Sequence, residues 1–237
     1  MDIYIENIQI SDRFDHSSVK ISECSGAPGD DRPIDDKIRF IYCDSIDAAK
    51  SVKSPCVLNF ANAQTPGGPT NLHGTTQEEV LWKRTSLGCT LSKSYYPIDD
   101  IVDKYQYWHY KSHSVIYSPR VYVLRDDEYS IIDTHSPDIF SVISCAAINN
   151  PRTTGQKYLL DRDRVVTRQK IALMLDVAAL HSHTFVAGQW GCGAFGNPLE
   201  ICSLWVEEIN KRNIDVVFPI YNESFEIAML EAMVDKK

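Results

Sequence analysis

Two acidic side chains stand together at Glu78 and Glu79, preceded by Gln77 and, a short way upstream, by Pro66-Gly67-Gly68. Paired glutamates near a flexible loop suit general acid/base chemistry, in which a carboxyl group gives up a proton and later takes one from water. Gly67 and Gly68 permit positive φ and close approach of backbone to a ligand, as a loop wrapping a phosphate or ribose requires. Asn59 and Asn62 add amide donors and acceptors for sugar hydroxyls. The triplet also has a structural reading. Thr75 and Thr76 each precede a glutamate by three residues, the capping-box spacing, and Val80, Leu81, Arg84 and Leu87 then recur with helical period. The two readings are compatible, because a helix start can aim its carboxylates into a ligand crevice. They pull in opposite directions electrostatically. A helix N-terminus favours the carboxylate anion, whereas a general acid needs a raised pKa, so burial or a neighbouring charge must outweigh the helix dipole.

A second loaded stretch runs from Ala187 to Pro198 and holds Gly188, Gly191, Gly193 and Gly196. Its free backbone amides, followed by a helix start, suit a diphosphate. It is neither Gly-x-Gly-x-x-Gly nor a Walker loop with its lysine, which weakens kinase and dinucleotide-dehydrogenase readings. Cys192, between two of these glycines, has no His/Asn partner nearby and reads as a small apolar residue in a tight loop rather than a nucleophile.

The elements that must position these loops alternate. Ile38–Tyr42, Val57–Phe60, Val121–Leu124, Phe140–Ala147, Thr184–Ala187 and Val216–Ile220 read as strands. Ser45–Val52, Arg164–Leu180 and Leu199–Asn210 read as helices, and Asn222 or Ser224 can cap a last one. Alternation of this kind predicts an α/β fold, with a parallel or mixed sheet covered by helices on both faces and ligands beyond the carboxyl ends of the strands. Both loaded loops follow predicted strands. Residues 1–37, with Ser, Gly, Pro and Asp concentrated from Ser22 to Asp36, read as an N-terminal extension, leaving 38–237 as the functional domain.

Composition sets outer limits. Among 237 residues, 43% are hydrophobic and 24% charged, as in ordinary globular domains. No apolar run approaches a membrane span, and the first ten residues lack a signal-peptide core. Seven scattered cysteines without a Cys-x-x-Cys pair fit reduced thiols, so a cytoplasmic or nuclear setting is expected. A monomer is also expected. A net charge of −8 argues against charge-driven nucleic-acid binding. His109 and His113 lack a third ligand for zinc. The aromatic run Tyr95, Tyr96, Tyr105, Tyr107, Trp108 and Tyr110 has few basic neighbours and reads as packing.

Taken in order, Asn59–Ala63, Pro66-Gly67-Gly68, Gln77-Glu78-Glu79, Tyr117-Ser118-Pro119, Arg125-Asp126, Val142–Ala147 and Gly191–Pro198 resemble the microbial-type poly(ADP-ribose) glycohydrolases. The resemblance spans about Phe40 to Ile220 and implies a macrodomain-like, three-layer α/β/α fold with a mixed central sheet. It implies hydrolysis of ribose–ribose bonds in poly(ADP-ribose) without a cofactor or metal. By this resemblance Glu79 is the catalytic acid/base and Glu78 holds the ribose with Asn62. Gly67, Gly68 and Gln77 belong to the same substrate loop. Gly191, Cys192, Gly193 and Ala194 offer amides to the diphosphate, Phe195 orients the ribose, and Asp44 corresponds to an adenine or loop contact. The family's third consecutive glycine is Pro69 here, which removes an N–H and stiffens the loop. That departure favours one alternative, a module that binds ADP-ribose without turnover; the other alternative is a hydrolase of single ADP-ribose units on protein or nucleic acid.

Overall fold

The computed structural model describes residues 3–68, 75–102 and 109–235. The first half runs α1 (Ile3–Ser11), β1 (Val19–Ile21), α2 (Ile34–Lys37), β2 (Ile38–Ile41), α3 (Ser45–Lys50), β3 (Pro55–Phe60), α4 (Gln77–Arg84) and α5 (Leu87–Thr90). It continues with β4 (Asp100–Val102), β5 (His109–Ser112), β6 (Val115–Tyr122) and β7 (Ile139–Cys145). Then follow β8 (Thr153–Thr154), β9 (Lys157–Tyr158), α6 (Asp161–His181), β10 (Thr184–Val186), α7 (Ile201–Asn210), β11 (Asp215–Pro219) and α8 (Glu223–Val234). Seven strands form one sheet in the order β1-β6-β7-β3-β10-β11-β2. The pairs among β3, β10, β11 and β2 are parallel, and β1–β6 and β6–β7 are antiparallel. The expected mixed sheet with flanking helices is therefore present.

The chain forms two compact units, Met1–Ile21 with Asn59–Ala146 and Ser22–Leu58 with Ala147–Lys237. The first 37 residues are thus divided between them. In the first unit Arg125 anchors α1 through two donors, Nη2 to Glu6 Oε2 at 2.7 Å and Nε to Asn7 Oδ1 at 2.9 Å, while Nη1 donates to the Tyr129 carbonyl at 2.8 Å. Only 4% exposed, this guanidinium needs that full complement, since a buried charge is tolerated when paired and hydrogen-bonded. Asn7 also donates to the Lys83 carbonyl at 2.9 Å, tying α1 to α4. Strand β6 begins at Val115 and runs through Pro119, earlier than its Val121–Leu124 expectation. The register with β7 shifts between Ser118 and Val121, an irregularity that admits proline into a paired strand.

The second unit is built around aromatic packing. Trp205 of α7 meets Trp190 edge-on at 6.3 Å and Phe218 of β11 at 5.7 Å, and all three are fully buried. Such pairs contribute about 0.5–1.5 kcal/mol each beyond their buried area. Segment 22–33 is held by polar ties rather than apolar ones. Lys37 Nζ, buried, donates to the carbonyls of Asp30, Asn210 and Arg212 at 3.1, 3.3 and 3.3 Å, and Asp176 accepts from the Ala27 amide at 2.9 Å.

Among the described residues no helix is long and apolar enough to cross a membrane.

Candidate active site

In the first unit, β3 ends at Phe60 and the chain turns into the first glycine loop. Asn62 shapes this turn: its Oδ1 accepts from the amides of Gln64 and Thr65 at 2.8 and 3.0 Å, an Asx turn. Among the described residues its Nδ2 has no protein acceptor. Gly67 and Gly68 follow with φ of +77° and +76°, the left-handed region that side chains disfavour. At Gly67 a Cβ would lie 2.6 Å from the Trp82 ring, so the loop rests directly on an indole from α4. At Gly68 a Cβ would lie 3.5 Å from Glu78 Oε2 and 3.7 Å from Glu79 Oε1. Both carboxylates therefore face the backbone of this loop.

The start of α4 supplies them. Gln77 Oε1 accepts from the Phe60 amide at 2.9 Å, joining the helix start to the end of β3. Glu78 accepts from the Asn62 amide at 2.8 Å and the Gly67 amide at 3.1 Å, with a longer 3.5 Å approach from Asn59 Nδ2. Asn59 is itself fixed by Ser144 Oγ at 3.0 Å. Glu79 Oε2 accepts from both the amide and the hydroxyl of Thr76, at 2.9 and 2.7 Å, the glutamate half of a capping box. Glu78 and Glu79 are only 4% and 3% exposed. Burial, opposed by the donors from Asn62, Asn59 and Gly67 and reinforced by the charge of Glu79, pushes the Glu78 carboxyl up to about 7. At Glu78 desolvation thus outweighs the helix start, which favours the anion.

In the second unit the loop after β10 is held from within by Asn197. Its Nδ2 donates to the carbonyls of Ile148 and Gly191 at 2.8 and 3.1 Å, and its Oδ1 accepts from Tyr158 Oη at 2.9 Å. Gly191 has φ +80°, and a Cβ there would come within 2.9 Å of Asn197 Nδ2 and 3.0 Å of the Ala147 methyl. The expected row of amides at Gly191–Ala194 is not uniform. The Cys192 amide closes a turn onto the Gln189 carbonyl at 3.1 Å, so it differs from its neighbours. Among the described residues the amides of Gly191, Gly193 and Ala194 have no protein acceptor, nor has that of Phe195, whose half-buried ring stands in the same loop. Burial pushes the Cys192 thiol up to about 12, so it stays protonated.

Asp44, expected as an adenine or loop contact, caps α3: its Oδ1 accepts from the Ile46 and Asp47 amides at 2.7 and 2.8 Å. Pro69, Tyr105, Tyr107 and Trp108 lie outside the described residues, as do the side chains of His109 and Tyr110. Among the described residues no group of three or more His, Cys, Asp or Glu is placed to hold a metal ion.

Sequence reasoning passed over three structural supports. Trp82 carried a signal, lying four residues after Glu78 on one helix face. Asn197 lay within the second glycine stretch, and only its several bonds in space reveal that it holds that loop together. Tyr158 carried no local signal.

Residues 15–126 match the family model described as microbial-type PARG, catalytic domain. The resemblance read from the motifs is borne out. Solved poly(ADP-ribose) glycohydrolases have the same fold. The enzyme from Thermomonospora curvata, bound to the inhibitor ADP-HPD, superposes with a TM-score of 0.70 at 20% identity, over 99% of this chain and 98% of its own. That from Deinococcus radiodurans, in complex with ADP-ribose, gives 0.64 at 24% identity, over 84% of this chain and 83% of its own. No curated protein sequence matches.

Proposed function

We propose that this protein is a poly(ADP-ribose) glycohydrolase in which Glu79 acts as a single acid/base. The observation that carries the reading is the convergence of two adjacent buried carboxylates on the backbone of the first glycine loop. Glu79 is tethered through one oxygen to Thr76 while its other oxygen faces Gly68. Glu78 is held through both oxygens by the loop it serves.

In the reaction Glu78 and Asn62 Nδ2 fix the ribose at the scissile bond. Glu79 protonates the departing ribose oxygen as an oxocarbenium-like centre forms, and its carboxylate then takes a proton from the attacking water. The second unit, by itself, offers the free amides of Gly191, Gly193 and Ala194, which suit a diphosphate.

Purified protein incubated with labelled poly(ADP-ribose) releases free ADP-ribose, read by separating the products. Retention of the polymer without release, alongside measurable ADP-ribose binding, leaves a binding module instead. Release only from singly modified protein makes it a mono-ADP-ribosyl hydrolase.

A further inference from the structure

Tyr96 follows the short helical turn Lys93–Tyr95 in the first unit. Its hydroxyl is buried and has no hydrogen-bond partner among the described residues. A buried phenol ordinarily finds one, so an orphan of this kind calls for a reason. Loose placement is not that reason, because the backbone on either side is tied down. The Tyr96 amide donates to the Lys93 carbonyl at 3.2 Å, and Lys20 Nζ donates to the carbonyls of Tyr95 and Pro97 at 3.0 and 2.7 Å. Ile98 donates to the Ala63 carbonyl at 2.9 Å, within the loop that carries Asn62 and Gly67.

The phenol lies in the field of Glu78. Burial first, and then that carboxylate, raise its pKa above the ordinary tyrosine range, so the group remains a proton donor throughout. Glu78 accepts, Tyr96 donates, and the two are met together by one kind of group: a hydroxyl, which can donate to the carboxylate while accepting from the phenol. The geometry points to Tyr96 as a further substrate-binding residue whose hydroxyl donates a hydrogen bond to the ribose hydroxyl held by Glu78. This assignment rests on the glycohydrolase reading of the same site.

Calorimetric titration of the parent protein and Tyr96→Phe with ADP-ribose and with ADP tests it. ADP lacks the distal ribose, so its affinity should be equal in the two proteins, while ADP-ribose should bind the variant about tenfold more weakly. The melting temperature should hold or rise, since the substitution removes a buried hydroxyl that has no protein partner. Equal ADP-ribose affinity in both proteins overturns the assignment. So does a lowered melting temperature with the same loss for both ligands, which would mark a structural role. If the parent protein binds no ADP-ribose, the proposed function itself falls, and this assignment with it.

Discussion

Glu79 Oε2 accepts both the backbone amide and the hydroxyl of Thr76, so the proposed catalytic carboxyl is also the cap of its own helix. The two duties separate by substitution. Glu79→Gln preserves an acceptor for the Thr76 amide, and stability should change by no more than about 1 kcal/mol. The amide can neither deliver a proton nor activate water, so release of ADP-ribose should slow by at least about a hundredfold. Thr76→Ala should do the reverse, costing about 0.5–2 kcal/mol of stability while slowing release far less. Melting curves and product assays on both variants check the pair. An active Glu79→Gln protein would remove Glu79 from the chemistry.

Glu78 makes stability depend on pH in a stated direction. Its folded pKa, about 7, lies above the ordinary 4.5, so between those values the folded protein keeps a proton that the unfolded chain has lost. The stabilisation is therefore full below about pH 4.5, falls as pH rises toward about 7 and is absent beyond it, by an amount on the order of 3 kcal/mol. Denaturant unfolding of parent and Glu78→Gln across this window should show a slope in the parent that flattens in the variant. Parallel slopes would assign the pH dependence to other groups.

The second glycine loop should be unequally tolerant. Gly191→Ala forces a side chain into a left-handed position against Asn197 and Ala147, and should destabilise by about 2–4 kcal/mol. A Cβ at Gly193 meets nothing within 4 Å and its φ is not positive, so Gly193→Ala should leave the melting temperature near that of the parent. Equal losses at both positions would contradict this account of the loop.

Cys192 should resist alkylation. Its thiol, with a pKa raised by desolvation, stays neutral at neutral pH, and the thiolate is the reactive species. Peptide mass spectrometry after iodoacetamide treatment should find it unmodified in the folded protein and modified once the chain is unfolded. Rapid labelling of the native protein would restore the nucleophile reading set aside from the sequence.

Much of this arrangement was legible in the sequence because it is local. The apolar runs of β3, β10 and β11 announced themselves, as did the long helix α6, and the spacing from Thr76 to Glu79 gave the start of α4. What could not be read was whatever depends on residues distant in the chain. The first residues, read as part of an extension, gave no sign of a helix, since Glu6 and Asn7 find their partner in Arg125, more than a hundred residues later. Asp44 is a local exception: its Oδ1 caps the helix that begins at the next residue, which neither makes nor excludes the ligand contact expected there. The Tyr96 hydroxyl shows its isolation only once its surroundings are assembled, and composition had counted it with the packing aromatics.

The close approach of Gly67 to the Trp82 ring joins two positions that otherwise share nothing. While the indole is present, residue 67 cannot acquire a side chain without displacing either the loop or the ring. A smaller residue at 82 would open that space, although any residue other than glycine at 67 would still have to adopt φ near +77°. In a directed-evolution library randomised at both sites, survivors that lose glycine at 67 should also have lost tryptophan at 82, and should favour asparagine or aspartate at 67, so that the two codons are inherited as one choice.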